Sequence, residues 1–191
     1  LSIPKLGATG FAYGVAHQFN VPIVSTRPAL VPLTFSAEDL AWMRPLSGVS
    51  ADVSARANGP AFREAALFTH RGLSGPAVLQ VSSYWREGEN VIVDWAPDAG
   101  EEALLARKQE RPKALVKTLL AELLPERLAA ALGAAFPQAP AGEMKDAALI
   151  DIVRRLKAWP LTPIGTEGYA KAEVTAGGVD TDALSQQTME C

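Results

Sequence analysis

A change of composition near the middle of the chain restricts its possible folds more than any other feature. Residues 100–159 are rich in the strong helix formers Ala, Leu, Glu, Lys and Arg. Prolines at 112, 125, 137 and 140 divide this run and predict four helices, over 101–110, 112–124, 125–136 and 144–159. Strand signals resume after Pro160. We therefore expect a helical subdomain, residues 98–159, inserted into a β-rich unit made of residues 1–97 and 160–191.

The sequence around that run predicts a small antiparallel β unit. Residues 49–55 place Val or Ala at every second position, which is typical of a half-buried strand. Asn58-Gly59-Pro60 provides a turn, and residues 61–68 return as the partner strand. Three prolines restrict residues 21–35 to an edge strand or an extended connection. The predicted fold class is therefore α+β, a small antiparallel β barrel or sandwich with an inserted helical subdomain.

One stretch, residues 67–85, is expected to organise the β unit. It reads as a strand end, a glycine-rich turn and a helix start, with Ser74 as the predicted N-cap. Thr69, His70 and Ser74 then lie beside a helix N-terminus, where negative charge is favoured. Near the end of the chain, residues 171–176 predict a strand, and Gly177-Gly178 predicts a tight turn after it.

Composition argues against several functional classes. The net charge of −3 gives no basic surface, so no nucleic-acid partner is expected. No apolar run approaches the roughly 20 residues of a membrane span. The single cysteine, Cys191, suits a reducing cytoplasm. No acidic residues have the helical spacing to a histidine that a metal site requires, and neither Gly-x-Gly-x-x-Gly nor Gly-Lys-Ser/Thr occurs.

Three motifs carry a resemblance to a known family. Phe68-Thr69-His70-x-Gly72-Leu73-Ser74-Gly75-Pro76 resembles the signature of the aminoacetone-oxidase-like (YhiN/BaiN-like) flavoproteins, which are FAD-dependent oxidoreductases. Residues 4–10 resemble the segment where such chains leave the nucleotide-binding domain. Residues 172–179, with Thr188-Met189-Glu190, resemble the segment where they return. One departure stands out, because many relatives have Thr-Gly-Asp-Gly near the start, and here Thr9-Gly10 is followed by Phe11-Ala12.

The resemblance implies a function and a set of residues. It implies a cytoplasmic, NAD(P)H-linked flavoenzyme that transfers hydride between a small-molecule substrate and flavin N5, with FAD held by its own nucleotide-binding domain. This chain, which lacks an initiating Met, would be the inserted segment that covers the flavin and shapes the substrate cleft, and alone it would hold no FAD. The implied cofactor contacts are Gly7, Thr9, Gly10, Thr175, Gly177 and Gly178, and the candidate catalytic residues are Thr69, His70 and Ser74.

Two other functional classes stay open. A serine hydrolase could use Ser74 and His70, with Asp52 or Asp94 orienting the imidazole. The Gly-x-Ser-x-Gly elbow does not fit, however, because Pro76 stands where the second glycine should be. The second alternative is a stand-alone binding or interaction module without chemistry of its own.

Overall fold

The computed structural model describes residues 1–188 and 190, and it combines antiparallel sheets with helices. The strands are β1 (Ile23–Ala29), β2 (Leu33–Thr34), β3 (Ser50–Arg56), β4 (Phe62–Thr69), β5 (Gly72–Ser74), β6 (Val91–Asp94), β7 (Trp159–Leu161), β8 (Gly165–Thr166) and β9 (Val174–Val179). The helices are α1 (Phe11–Gln18), α2 (Ala37–Met43), α3 (Pro76–Ser82), α4 (Ala103–Glu110), α5 (Val116–Leu120), α6 (Glu126–Gly133) and α7 (Asp146–Lys157). The predicted α+β class is confirmed.

The strands form two sheets. Seven of them make an antiparallel sheet in the order β7-β6-β3-β4-β5-β2-β8, and β1 pairs with β9 in a separate two-stranded sheet. Among the described residues, β7 and β8 end the larger sheet and do not pair with each other, so this sheet is open. Closure into a barrel or sandwich stays a prediction.

The helical run lies between β6 and β7 and shares one continuous core with the larger sheet. Trp95 stacks on Phe68 with ring centroids 5.6 Å apart, and its backbone N–H donates to the carbonyl of Leu156 in α7. Helix α5 is shorter than its sequence predicts. The reason is that residues 112–114 run beside residues 141–142, where Gly142 donates to the Pro112 carbonyl. Whether residues 98–159 are an independent subdomain stays a prediction.

Local patterns in the first third of the chain are confirmed. Ala51, Val53 and Ala55 are buried on one side of β3, as their alternation predicts. Ser36 caps α2 by accepting the backbone N–H of Asp39 at 3.1 Å. The cap and the two acidic residues of the first turn account for a helix start at this position.

Two local predictions were wrong. Ser74 is not an N-cap, because it is the last residue of β5 and pairs with Leu67 of β4, and Gly75 with φ 90° makes the turn into α3. Gly177-Gly178 is not a turn after a strand. Both glycines lie inside β9, at a bulge in its pairing with β1. There Ser25 and Thr26 of β1 oppose Gly177 alone, which accounts for the shift in register.

A buried hydroxyl fastens the connection between the two sheets to α3. Ser82 is 1% exposed, and its Oγ accepts the backbone N–H of Val31 at 2.9 Å while donating to the Leu79 carbonyl at 2.7 Å. Val31 lies between β1 and β2, the strands that belong to different sheets. The serine therefore satisfies a backbone donor that the change of sheet leaves unpaired.

Replacing this hydroxyl tests its role. Ser82→Ala should lower the free energy of unfolding by roughly 1–3 kcal/mol, because the Val31 N–H is left buried without an acceptor. Ser83→Ala is the matched control. The hydrogen bond from the Leu30 N–H to the Ser83 Oγ is long, at 3.4 Å, and Ser83 is half-buried, so its loss should cost less. Denaturant titration of both variants gives the measurement. Equal losses in the two would contradict this account.

Candidate functional site

The family signature forms a tight β-hairpin followed by a helix. Thr69 of β4 pairs with Gly72 of β5, which leaves His70 and Arg71 as a two-residue loop. Thr69 Oγ1 closes the loop by accepting the Arg71 N–H at 3.2 Å and donating to the Gly72 carbonyl at 3.3 Å. Gly72 has φ 147°, and a side chain there would overlap the Leu33 carbonyl oxygen of β2. The Thr69 hydrogen bonds and the close packing of Gly72 against β2 therefore fix the backbone of the hairpin.

His70 is exposed at the tip of this hairpin. In the part of the chain that the structure describes, its imidazole makes no hydrogen bond or ion pair with protein. Arg71 beside it lies 3.6 Å, Nη1 to Oε2, from Glu167, whose side chain is only 10% exposed. The hairpin therefore presents the imidazole to solvent, and the side chain has no packing role.

The structure does not assemble a serine hydrolase triad from the predicted residues. Ser74 is half-buried in β5, and over residues 1–188 and 190 no hydrogen bond joins it to His70. Asp94 is engaged elsewhere, by Lys157 at 3.1 Å and by the Ala96 N–H at 3.0 Å. Asp52 lies in the middle of β3, opposite Ala65. The residues lack the mutual contacts that a nucleophile and its base require.

The implied cofactor residues belong to two parts of the chain, the first ten residues and strand β9 of the two-stranded sheet. Thr175 Oγ1 accepts the backbone N–H of Ser2 at 3.1 Å, so the first residues of the chain lie against β9. Gly178 approaches the ring of Tyr13 in α1. Ser2 and Tyr13, which flank the resembling segment 4–10, therefore both lie against β9. Met189 of the third motif lies outside the described residues.

The glycines of this surface differ in what surrounds them. Gly7 and Gly10 have no protein atom within 4 Å of the position that a Cβ would take, so their backbone is open to a ligand or another domain. Thr9 Oγ1 accepts the Phe11 N–H at 3.4 Å and helps to start α1. Gly177 has φ 80°, and a Cβ there would meet the backbone oxygens of Ser25 and Val24. Gly177 is therefore explained by the bulge without any cofactor.

Helix α1 exposes an apolar stripe that the sequence interpretation missed. Phe11, Val15 and Phe19 follow one another at intervals of four residues, and they are 79%, 36% and 65% exposed. Neighbouring apolar side chains of the same small unit are also exposed, namely Ile3, Leu6, Val24 and Val174. The spacing was visible in the sequence, and it indicates an amphipathic helix whose apolar side is left exposed by residues 1–188 and 190.

The two groups of candidate residues lie at different ends of one strand path. Thr34 pairs with Gly72 of the hairpin, and Pro28, six residues earlier, pairs with Thr175. An extended chain rises about 3.3 Å per residue, so the two places are at most roughly 20 Å apart along this path. His70 does not contact Thr175 or the glycine pair. One continuous segment, from Pro28 to Thr34, nevertheless pairs with both places.

A half-buried cation, Arg27, links β1 to α3 between these places. The Arg27 guanidinium donates to the carbonyl oxygens of Ser82 and Ser83 at the C-terminal end of α3. Burial, and to a smaller extent the nearby Arg86, lowers the pKa of Arg27.

The described residues contain no cluster of three or more His, Cys, Asp or Glu side chains suited to a metal ion. The search of these residues for a long apolar helix able to cross a membrane found none.

Glycine substitutions separate the structural from the open positions. Gly177→Ala should cost about 1–2 kcal/mol or more of unfolding free energy, because it forces a left-handed backbone on alanine and adds a clash with β1. Gly10→Ala, at φ −77° with open surroundings, should change stability by less than about 0.5 kcal/mol. Thermal melts of both variants decide this. A neutral Gly177→Ala would show that the bulge does not need glycine.

Comparisons with known proteins agree with this description. Residues 27–174 match the family model described as the HI0933-like protein barrel and H2TH domain. The whole chain aligns with ribosomal RNA dihydrouridine synthases of Haemophilus influenzae at 43% identity and Escherichia coli at 45% identity, covering 48% of each. A 3-dehydro-bile acid delta(4,6)-reductase of Clostridium scindens is 29% identical over 97% of the chain and 49% of its own length.

These relatives set the scale of the chain. It spans about half the length of the curated proteins it matches. They are named as a dihydrouridine synthase and a reductase, which is consistent with the resemblance to YhiN/BaiN-like flavoproteins. Since the family model covers most of the described residues, the chain belongs to the HI0933-like protein barrel and H2TH domain family.

Proposed function

We propose that this chain is the substrate-side part of an FAD-dependent, NAD(P)H-linked reductase, and that the reduced substrate is a uridine base in ribosomal RNA. Identity of 43% and 45% to two ribosomal RNA dihydrouridine synthases supports the substrate. The structural observation that carries the proposal is the exposed apolar stripe of α1 beside the open glycines, because it offers a docking face for a cofactor-binding domain.

The relatives' names share one reaction type. Dihydrouridine is uridine reduced at the C5–C6 double bond, which is conjugated with the C4 carbonyl. A 3-dehydro-delta(4,6) steroid likewise carries double bonds conjugated with its C3 carbonyl. Each reduction adds a hydride to one carbon of the double bond and a proton to the other, and NAD(P)H is the ultimate electron donor. We therefore assign the chain to reductases of conjugated double bonds.

The residues of this chain could form only part of an FAD site. No glycine-rich turn for the cofactor's diphosphate is present. What the chain offers is uncovered backbone at Gly7 and Gly10 and the strand β9, which carries Thr175 and Gly178. When bound, the flavin would supply the hydride. Phe11, Val15 and Phe19 would pack against the domain that holds it and keep water from that side.

His70 is the residue of this chain that we assign to the proton. Its imidazole is exposed on a hairpin fixed by the Thr69 hydrogen bonds and by the close approach of Gly72 to β2. A protonated imidazole can deliver a proton to the substrate carbon that does not receive the hydride, or polarise the conjugated carbonyl. Thr69 positions the loop, and Ser74 supports it from within the sheet.

The proposed substrate differs from the expectation based on charge. A net charge of −3 predicts no nucleic-acid partner, and that expectation stays untested. An RNA substrate requires only a local site with suitable donors, and the net charge averages over the whole surface. Helices α4–α7 and their connections, residues 98–159, carry ten basic and nine acidic residues. This part of the chain is therefore less acidic than the remainder.

The proposal is tested with the full-length protein. It should purify yellow, and with NAD(P)H it should convert uridine to dihydrouridine in ribosomal RNA from a strain that lacks the enzyme. The 191-residue chain alone should be colourless. Digestion of the RNA to nucleosides followed by mass spectrometry measures the product. A full-length protein without bound flavin would refute the cofactor assignment, and a yellow protein that leaves uridine unchanged would refute the substrate.

The two histidines of the chain, His70 and His17, provide a matched test of whether His70 donates the proton. His70→Ala should lower turnover by roughly 10²–10⁴-fold, the range for loss of a general acid, while the melting temperature changes little because the side chain is exposed. His17→Ala, also exposed but on α1, should leave turnover unchanged. Flavin content per protein must be equal in both variants. Normal turnover in His70→Ala would remove His70 from the mechanism.

A further inference from the structure

The last turn of α7 contains three cations, and two of them are paired with carboxylates of the described residues. Arg154 binds Glu101, Nη2 to Oε2, at 2.7 Å, and Lys157 binds Asp94, Nζ to Oδ2, at 3.1 Å. Within the described ranges, 1–188 and 190, no carboxylate lies within 4 Å of the Arg155 guanidinium, although the residue is exposed. Three cations in one turn thus have different uses, and Arg155 retains donors for an external acceptor.

A buried aromatic ring positions Arg155. The guanidinium carbon lies 4.9 Å from the ring centroid of Phe136, which is 3% exposed. Phe136 also contacts Trp159 edge to face, with ring centroids 6.2 Å apart and an interplanar angle of 79°. One fixed ring therefore supports both a planar cation and a half-buried indole, and this support reduces the conformational entropy that binding would cost.

Between these side chains is a surface groove. Arg155, Ala158, Trp159 and Pro160 line it, and its volume is about 280 Å³. The groove lies at the outer edge of the larger sheet, because Trp159 and Pro160 belong to the edge strand β7. None of its lining residues belongs to the hairpin of His70 or to the implied cofactor residues, so it is a separate site.

We propose that this groove binds an unpaired nucleotide of ribosomal RNA next to the modified region, with its base stacked on Trp159 and its phosphate paired with Arg155. The proposal rests on the proposed function, which makes RNA the substrate. Unpaired bases are held by aromatic stacking, and a guanidinium forms two parallel hydrogen bonds to a phosphate. A free arginine beside a supported indole provides both partners in one place.

A protein partner is the competing occupant, since Trp and Arg are also enriched at interface hot spots. Two features favour RNA. The groove is small, about 280 Å³, and holds one cation with one aromatic surface, which matches a single nucleotide. The free charge is positive, which complements a phosphate.

The experiment measures binding of a short fluorescent oligouridylate to the full-length protein by anisotropy. Trp159→Leu should weaken binding on the order of tenfold because it removes a stacking surface, and Trp159→Phe should restore most of it. Arg155→Gln should weaken binding at low salt and lower the slope of log affinity against log salt by about 0.7, the value for one phosphate contact on a single strand. Arg154→Gln is the matched control and should leave the slope unchanged.

The outcomes separate this inference from the proposed function. Equal RNA affinity in Trp159→Leu and the unaltered protein would overturn it. Weakening by Trp159→Phe as strong as by Trp159→Leu, or a lower melting temperature without an RNA effect, would also overturn it, because both point to packing or a protein partner. If the unaltered protein forms no dihydrouridine but the variants still differ in RNA affinity as described, the proposed reaction is refuted and the RNA site is not. Flavin content and NAD(P)H oxidation without RNA should be the same in all four variants.

Discussion

The contact between the end of α3 and the strand β1 holds the two sheets in one arrangement. Arg27 donates to the last carbonyl oxygens of α3, and Ser82 accepts the N–H of Val31 just beyond β1. The Val31 N–H is buried where the chain leaves one sheet and enters the next, so it needs a hydrogen-bond acceptor within the protein. Because α3 also packs on β4, the helix supports both the two-stranded sheet of β1 and β9 and the hairpin that carries His70.

The hairpin depends on backbone proximity that only glycine permits. β5 is inserted between β4 and β2, and Gly72 approaches the Leu33 carbonyl too closely for a side chain. Gly75 does the same against Ala65 and Leu67 as the chain turns into α3. The spacing of two glycines in the family signature thus has a structural cause. His70 lies between these fixed points and is itself exposed, so the hairpin does not depend on its side chain for packing.

Sequence patterns predicted the elements well where packing is local. The Ser36 cap, the alternation in β3 and the helices between Gly100 and Trp159 follow from short-range rules, and the structure contains them. Predictions were wrong at Ser74 and at Gly177-Gly178, where strand pairing with a distant segment overrides the local signal. Pairing partners such as β1 and β9 are about 150 residues apart, and no local propensity encodes them.

The candidate site shows the same division. The signature motif indicated His70 and its neighbours, but no local pattern predicts that Arg71 faces a nearly buried Glu167. The apolar spacing of α1 was present in the sequence, yet its meaning depends on burial, since the same stripe could equally have faced the core. The Arg155 and Trp159 groove was not predictable, because Phe136, which joins them, lies in a different helical region.

The ends of the larger sheet have a consequence for the behaviour of the protein in concentrated solution. β7 carries Pro160, which has no N–H to offer an incoming strand, and β8 at the opposite edge has only two residues. An open seven-stranded sheet would otherwise present two templates for pairing with other copies of the chain. A proline and a short strand are the features by which natural sheets resist such edge-to-edge aggregation, and here they allow the sheet to remain open without becoming a hazard.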